Sequence, residues 1–230
     1  MNILVLNGSP KGKKSNTIKL TDAFIKGLNA GKNNNVQNIT ISESHIEHCL
    51  GCYACWKTTP GVCVINDDMA EYMRQYIKAD LIIWSFPLYY YGMPSKIKAF
   101  LDRLMPTNLP DINVRADGSN AHPPRYDRSH HRYVLLSTCG FCGTKNNYDA
   151  LLRQFEILFG GRLTKIICPE GELLRIPQMS ARVDEYLSYV TKAGEEYLQK
   201  GLWCEEIENK LNELLMPADI FIEMANKNWN

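Results

Sequence analysis

Between Asn7 and Thr17 the chain reads N-G-S-P-K-G-K-K-S-N-T, a run of glycine, proline, lysine and small hydroxyl or amide side chains. It follows the apolar residues Ile3 to Leu6 and precedes a stretch in which Leu20, Phe24 and Leu28 recur every fourth position. The order is strand, turn, helix. A helix opening on Ser15-Asn16-Thr17 aims the unpaired N–H groups of its first turn, and the positive end of its dipole, at the point those side chains reach. Such a point binds an anion, and phosphate suits it. Capping alone would explain Ser15 or Asn16, but not Ser9, Ser15, Asn16 and Thr17 gathered directly after the first strand.

Two common phosphate loops do not fit. Gly8 and Gly12 are separated by three residues, and Gly12-Lys13 is followed by Lys14, so the mononucleotide P-loop pattern is missing. The dinucleotide G-x-G-x-x-G fingerprint is absent as well.

A second set of reactive residues is Cys49, Cys52, Cys55 and Cys63, spaced C-x2-C-x2-C-x7-C. Two short C-x2-C steps with a further closing thiolate is how ferredoxins hold a [4Fe–4S] cubane. Four thiolates also suit zinc, and free cysteines also serve as small buried hydrophobes. The spacing leaves all three readings open. Cys139 and Cys142 form another C-x-x-C, whose place at a strand end fits a ligand-contact loop better than a thioredoxin motif.

The elements that must position these residues alternate. After the first strand and helix, a second strand fits Val36 to Ile41, and Asp67-Asp68 caps a helix with Met69, Tyr72, Met73, Tyr76 and Ile77 inward. Leu81 to Phe86 is continuously apolar, as in a strand buried on both faces of a parallel sheet. Ser95 opens a helix with Ile97, Phe100, Leu101 and Leu104 inward; Tyr133 to Ser137 is the fourth strand; Leu151, Leu152, Phe155, Leu158 and Phe159 mark the next helix. Leu163 to Cys168 is the fifth strand, and Val183, Leu187, Val190 and Tyr197 the fifth helix. Five βα units predict a doubly wound α/β sheet of order 2-1-3-4-5.

Three segments fall outside that plan. Cys49 to Asn66 interrupts the second connection, and Met105 to His131 is too long for a bare connector. From about Cys204 a helix (Ile207, Leu211, Leu214, Leu215) is followed by Pro217 and an apolar stretch ending at Trp229. The expected organisation is one domain over residues 1–203, with an insertion at 105–131 and a helical extension over 204–230 packed on it.

In such a sheet ligands sit beyond the carboxyl ends of the strands at the switch point, here the loops after strands one, three and four. The third loop is P-L-Y-Y-Y-G-M-P, Pro87 to Pro94, whose tyrosines can offer a platform to a flat heterocycle. The fourth, Thr138-Cys139-Gly140-Phe141-Cys142-Gly143, has small residues that let a ring approach the backbone. A phosphate at one end and a flat ring at the other describe FMN.

Composition narrows the classes. A net charge of +1 over 230 residues leaves no footprint for nucleic acid. No apolar run approaches the ~20 residues of a membrane helix. The start runs into a strand without a charged leader, so a cytoplasmic location is expected, and there the eight cysteines would not be structural disulfides.

The first loop, together with S-F-P-L-Y-Y-Y-G-M-P-S-K-I-K-A-F-L-D-R, resembles the flavodoxin-like NAD(P)H-dependent FMN reductases. The stretch C-L-G-C-Y-A-C…C-V-I-N-D-D-M is similar to the iron–sulfur flavoprotein branch of that superfamily, although members without a cluster also keep cysteines there. The resemblance covers roughly the first 105 residues well and the fourth-strand loop in part. It implies that Ser9, Lys11, Ser15, Asn16 and Thr17 hold the FMN phosphate. Pro87, Leu88, Tyr89, Tyr90, Tyr91 and Gly92 would line the flavin, with Thr138, Cys139 and Gly140 on its other side.

The leading expectation is an oxidoreductase that takes hydride from NAD(P)H on FMN and passes electrons to a small acceptor such as a quinone, nitroaromatic or flavin. Flavin chemistry needs no acid–base pair from the protein, which agrees with the absence of a recognisable triad; all five histidines, His45, His48, His122, His130 and His131, are expected at the surface. The alternatives are a cluster-bearing flavoprotein moving single electrons through Cys49, Cys52, Cys55 and Cys63, and a non-enzymatic flavodoxin-type carrier. Near-neutral charge and extra loops count against the carrier, since the flavodoxins it resembles are strongly acidic. An open flavin site with an aromatic loop and an apolar tail predicts a homodimer or a dimer of dimers.

Overall fold

A computed structural model describes residues 1–227. The main sheet has five parallel strands, β1 (Asn2–Asn7), β2 (Asn35–Thr40), β3 (Leu81–Pro87), β6 (Arg132–Thr138) and β7 (Leu163–Cys168). Their order is β2-β1-β3-β6-β7; leaving aside the small hairpin strands β4 (Asn113–Val114) and β5 (Asn120–Ala121), this is the 2-1-3-4-5 order expected. β3 is the central strand, β6 lies between it and the edge strand β7, and the residues of both are almost all buried, because helices cover both faces.

One face carries α1 (Thr17–Leu28) and α6 (Ser180–Lys200). These helices touch backbone to backbone: a Cβ on Gly27 would lie 2.0 Å from the Thr191 carbonyl oxygen, and one on Gly194 2.2 Å from that of Phe24. The other face carries α3 (Met69–Lys78), α4 (Ser95–Asp102) and α5 (Asp149–Phe159), with Trp84 packed edge-on against Phe100 and Phe155. α4 ends at Asp102, so Leu104 is buried from the turn beyond the helix.

The extension joins the α1–α6 core rather than lying over it. Trp203, Ile207, Leu211, Leu215 and Phe221 are buried there, from α7 (Glu205–Leu211), α8 (Ala218–Lys227) and their connections. The periodicity carries the first tail helix through Leu215, but α7 stops at Leu211. The reason lies across the chain: the buried Glu170 carboxylate accepts hydrogen bonds from the backbone N–H groups of Leu215 (2.8 Å) and Met216 (3.2 Å), pulling that segment out of helical register. Trp229 lies outside the described residues.

His131 corrects an expectation. It is buried at the amino end of β6, edge-on to Tyr76 and Tyr133, with its ring nitrogens at the Tyr133 hydroxyl (3.2 Å) and the Ile77 carbonyl (3.3 Å). Burial lowers its pKa from 6.5 to about 4. The other four histidines are exposed.

Candidate functional site

The first loop folds back on itself before α1 begins. Residues 12–14 form a single 3₁₀ turn, held by Gly12 N–H to the Ser9 carbonyl (3.0 Å) and Ser15 N–H to that of Gly12 (3.1 Å). Gly12 takes φ +51°, a region open to glycine. Ser15 Oγ accepts from Thr17 N–H (3.1 Å), whereas Asn16, at the N-cap position, makes no side-chain capping bond. The first turn of α1 contains no acidic residue of its own to offset the positive end of its dipole. Arg175 adds a cation behind the loop by donating to the Ser15 carbonyl (2.8 Å).

Hydroxyls tie this loop to the strand ends. Thr17 and Thr138 share a buried 2.6 Å hydrogen bond between their Oγ1 atoms, and Thr21 and Ser85 a 2.7 Å one. The Leu88 N–H donates to the Thr138 carbonyl at 2.8 Å, pairing the third and fourth loops where they leave the sheet. The cleft between them is lined by Ser9, Lys11, Ser15, Asn16 and Thr17 at the anion loop, by Pro87, Leu88 and Tyr89, and by Thr138, Cys139 and Gly140. All eleven therefore converge.

Tyr90, Tyr91 and Gly92 fall outside this lining. Tyr89 and Gly92 exchange both backbone hydrogen bonds at 2.9 Å, and Tyr90 and Tyr91 sit between them at φ 48° and 60°. Positive φ at both central positions is the type I′ signature. Tyr90 is fully exposed, and Tyr91 stacks on Phe141 at 6.0 Å between centroids.

Gly171 and Glu172 complete the cleft, and the pattern gave no sign of them. They follow β7, beyond the three loops at the switch point. Gly171 N–H donates to the Cys139 carbonyl (2.8 Å), and a Cβ there would sit 2.6 Å from Thr138 Cβ. That contact is the signal a sequence does not display. Burial pushes the Cys139 thiol up, which keeps it protonated and unlike a thioredoxin nucleophile.

The cysteine loop is a separate construction. Its base is closed by paired bonds: His45 N–H to Asp68 Oδ2 (2.8 Å), Asp68 N–H to the His45 carbonyl (3.2 Å) and Glu47 N–H to Asp67 Oδ2 (2.9 Å). Asp67 Oδ1 accepts the Met69 N–H (3.1 Å), as a helix-capping aspartate does, but most of the bonding of Asp67 and Asp68 closes this loop. Asp67 also pairs with Arg103 at 2.7 Å, both side chains buried. Burial opposes the Asp67 charge, but the guanidinium and the backbone N–H groups outweigh it and hold the carboxyl below its usual range.

Within the loop, α2 (Ala54–Lys57) docks onto the 105–131 insertion through Trp56, whose Nε1–H donates to the Asn108 carbonyl (2.9 Å) and whose ring lies 4.6 Å from that of His122. Cys49, Cys52, Cys55 and Cys63 line one hollow with Arg103. Burial, and then the three neighbouring thiols, push the Cys55 thiol up. Among the described residues, no three His, Cys, Asp or Glu side chains converge closely enough to hold a single metal ion. Zinc, with Zn–S bonds of ~2.3 Å, needs that convergence; a cubane, whose thiolates bind different irons, spreads them round a larger body.

Residues 1–140 match the family described as having the flavodoxin-like fold. This chain belongs to that flavodoxin-like family. It is 36% identical over 114 residues to an iron-sulfur flavoprotein of Archaeoglobus fulgidus, covering 49% of this chain and 50% of that protein. It is 27% identical over 109 residues to an FMN-dependent NADH:quinone oxidoreductase of Pseudoalteromonas atlantica, covering 45% and 54%. The chain thus spans about half the length of the curated relatives it matches. Among solved structures, an FMN-dependent NADH-azoreductase of Bacillus anthracis in complex with FMN superposes with TM-score 0.64 over 86% of this chain and 100% of its own, at 17% identity. That likeness carries the flavodoxin-like fold. No described helix is long and apolar enough to cross a membrane.

Proposed function

We propose that this flavodoxin-like protein is an FMN-dependent oxidoreductase that takes hydride from NAD(P)H and passes electrons to a small acceptor such as a quinone, nitroaromatic or flavin. The observation that carries the reading is the cleft itself. Its anion end gathers Ser9, Lys11, Ser15, Asn16 and Thr17 at a helix start whose first turn holds no acidic residue. Its other walls, Pro87-Leu88-Tyr89 and Thr138-Cys139-Gly140, are strand-end backbone that a flat ring can approach. The relatives' names agree with this reading. When bound, FMN supplies the hydride and electron chemistry. The chain's part is to bind the phosphate, orient the ring between two loops, and leave one face open to the nicotinamide and the acceptor.

The test is replacement of Ser15 and Asn16 by Glu, which sets like charge against the phosphate. FMN retention should be lost while the fold, followed by circular dichroism, persists. Unchanged FMN affinity would remove the proposal.

A second reading is favoured by the four thiols around one hollow: a [4Fe–4S] cluster held by Cys49, Cys52, Cys55 and Cys63, passing single electrons. Iron and acid-labile sulfide in anaerobically purified protein test it, with Cys52→Ser losing brown absorbance and keeping hydride transfer to FMN. Assembly as a homodimer or dimer of dimers is supported by the exposed Tyr90, Tyr91 and Phe141 near the cleft mouth. A monomer in light scattering, with FMN bound and active, would count against it.

A further inference from the structure

Arg103 has more donors than its ion pair uses. Nη1 donates to Asp67 Oδ2 (2.7 Å) and to the Glu47 carbonyl (2.8 Å), and Nη2 to Asp67 Oδ1 (2.9 Å). Nε, buried, has no hydrogen-bond partner. A buried N–H left unmade is costly, so its retention asks for an explanation. The side chain is 1% exposed, lines the four-cysteine hollow, and has Cys63 close enough to interact with it. Among the described residues lining that hollow, Arg103 is the one lysine, arginine or carboxylate side chain; the remainder are cysteines, apolar residues, Gly51 and Tyr53. Asp67 explains why an arginine is buried here, but it occupies only the guanidinium fork. The Nε–H is left over, on a side chain that lines the hollow and interacts with Cys63.

We propose that Arg103 is a positioning residue for the cysteine hollow: its Nε–H donates to a sulfur anion on the Cys63 side and raises the reduction potential of a cluster held by the four thiolates. The inference rests on the cluster reading above. Adding one electron to such a group breaks no bond and makes it more negative by one unit; the electron comes from the flavin reduced by NAD(P)H. An N–H bond to sulfur and a fixed positive charge both favour the more negative state, and potentials of iron–sulfur centres respond to hydrogen bonds and local charge. Asp67 offsets most of the guanidinium's net charge, so the N–H bond carries the effect, and it is strong here because the group is withdrawn from water.

Two variants of the full chain, purified anaerobically beside the wild type, test this. Arg103→Lys keeps a cation for Asp67 and removes the Nε–H. The double variant Asp67→Asn with Arg103→Gln removes both charges of the pair together, so neither is stranded. Iron, sulfide and circular dichroism are measured first, then the potential by a redox titration followed by electron paramagnetic resonance. Both variants are expected to stay folded with about four irons and four sulfides per chain. At a fixed ambient potential their reduced-to-oxidised ratio should fall about tenfold, a shift of about 59 mV for one electron. Wild-type protein without iron and sulfide overturns the cluster reading and this inference with it. A cluster whose potential is the same in wild type and both variants overturns the inference alone. Loss of the cluster from folded variants, or failure of both to fold, assigns Arg103 to the scaffold and also overturns it.

Discussion

The cleft and the cysteine hollow belong to connections of one sheet and are built in opposite ways. The cleft takes its polar atoms from the ends of strands and the first turn of α1, and they stand where the fold puts them: Thr17 on Thr138, Leu88 N–H on the Thr138 carbonyl. The hollow is a long excursion whose geometry depends on side chains, Asp67 on Arg103 and Trp56 on the Asn108 carbonyl. A site of the first kind persists as long as the sheet does. A site of the second kind is as secure as its few buried tethers.

The sharpest way to break the contrast is Asp67→Ala. It strands the Arg103 guanidinium in the interior, and removing one partner of a buried pair costs about 3–5 kcal/mol. Urea unfolding should show a loss of that order and limited proteolysis should cut within residues 48–66, while FMN titration of the folded protein gives an unchanged affinity. A parallel fall in FMN affinity would mean that the two regions share their support.

His131 sharpens the comparison from the far end of the sheet. Its native pKa is lowered from 6.5 to about 4, so the unfolded state binds the extra proton first. Its contribution to stability is complete above pH 6.5 and is lost as the pH falls toward 4, by up to about 3 kcal/mol. Urea midpoints measured from pH 7 to pH 4 should fall accordingly, and His131→Gln should remove that part of the slope. FMN affinity corrected for unfolding should be the same in both proteins.

Gly171→Ala acts on the cleft alone. The new methyl meets Thr138 Cβ at 2.6 Å, and the forced shift should cost about 1–3 kcal/mol. FMN affinity should drop in fluorescence titration, with iron and sulfide content unaltered. The smallest effect is expected for Tyr90→Asn. Asparagine suits positive φ better than tyrosine, so the melting temperature should rise slightly, by less than about 1 kcal/mol in stability, with FMN affinity unchanged.

The same contrast decided what was legible beforehand. Strand order, the anion loop and eleven cleft residues follow from local signals: apolar runs, helix starts, and the rule that ligands gather at the switch point. The tyrosine turn was misleading because a run of three aromatics says nothing of φ, and two of them lie in the left-handed region. Gly171 and Glu172 enter through contacts with the fourth loop, and His131 is buried by Tyr76 and Ile77, more than 50 positions earlier in the chain. The Asp67–Arg103 pair joins residues 36 positions apart. No periodicity records any of these meetings.

One short turn after β7 ties together parts of the molecule that the chain order keeps apart. Glu170, at φ 55°, sends its carboxylate to the backbone of Leu215 and Met216, while the next two residues face the cleft. Burial already raises the pKa of that carboxyl. A chain cut after residue 203 would leave it without the N–H groups it serves, on the residue that directly precedes the cleft wall. For anyone trimming this protein to the smallest unit that keeps the cleft, residue 203 is therefore the wrong place to cut.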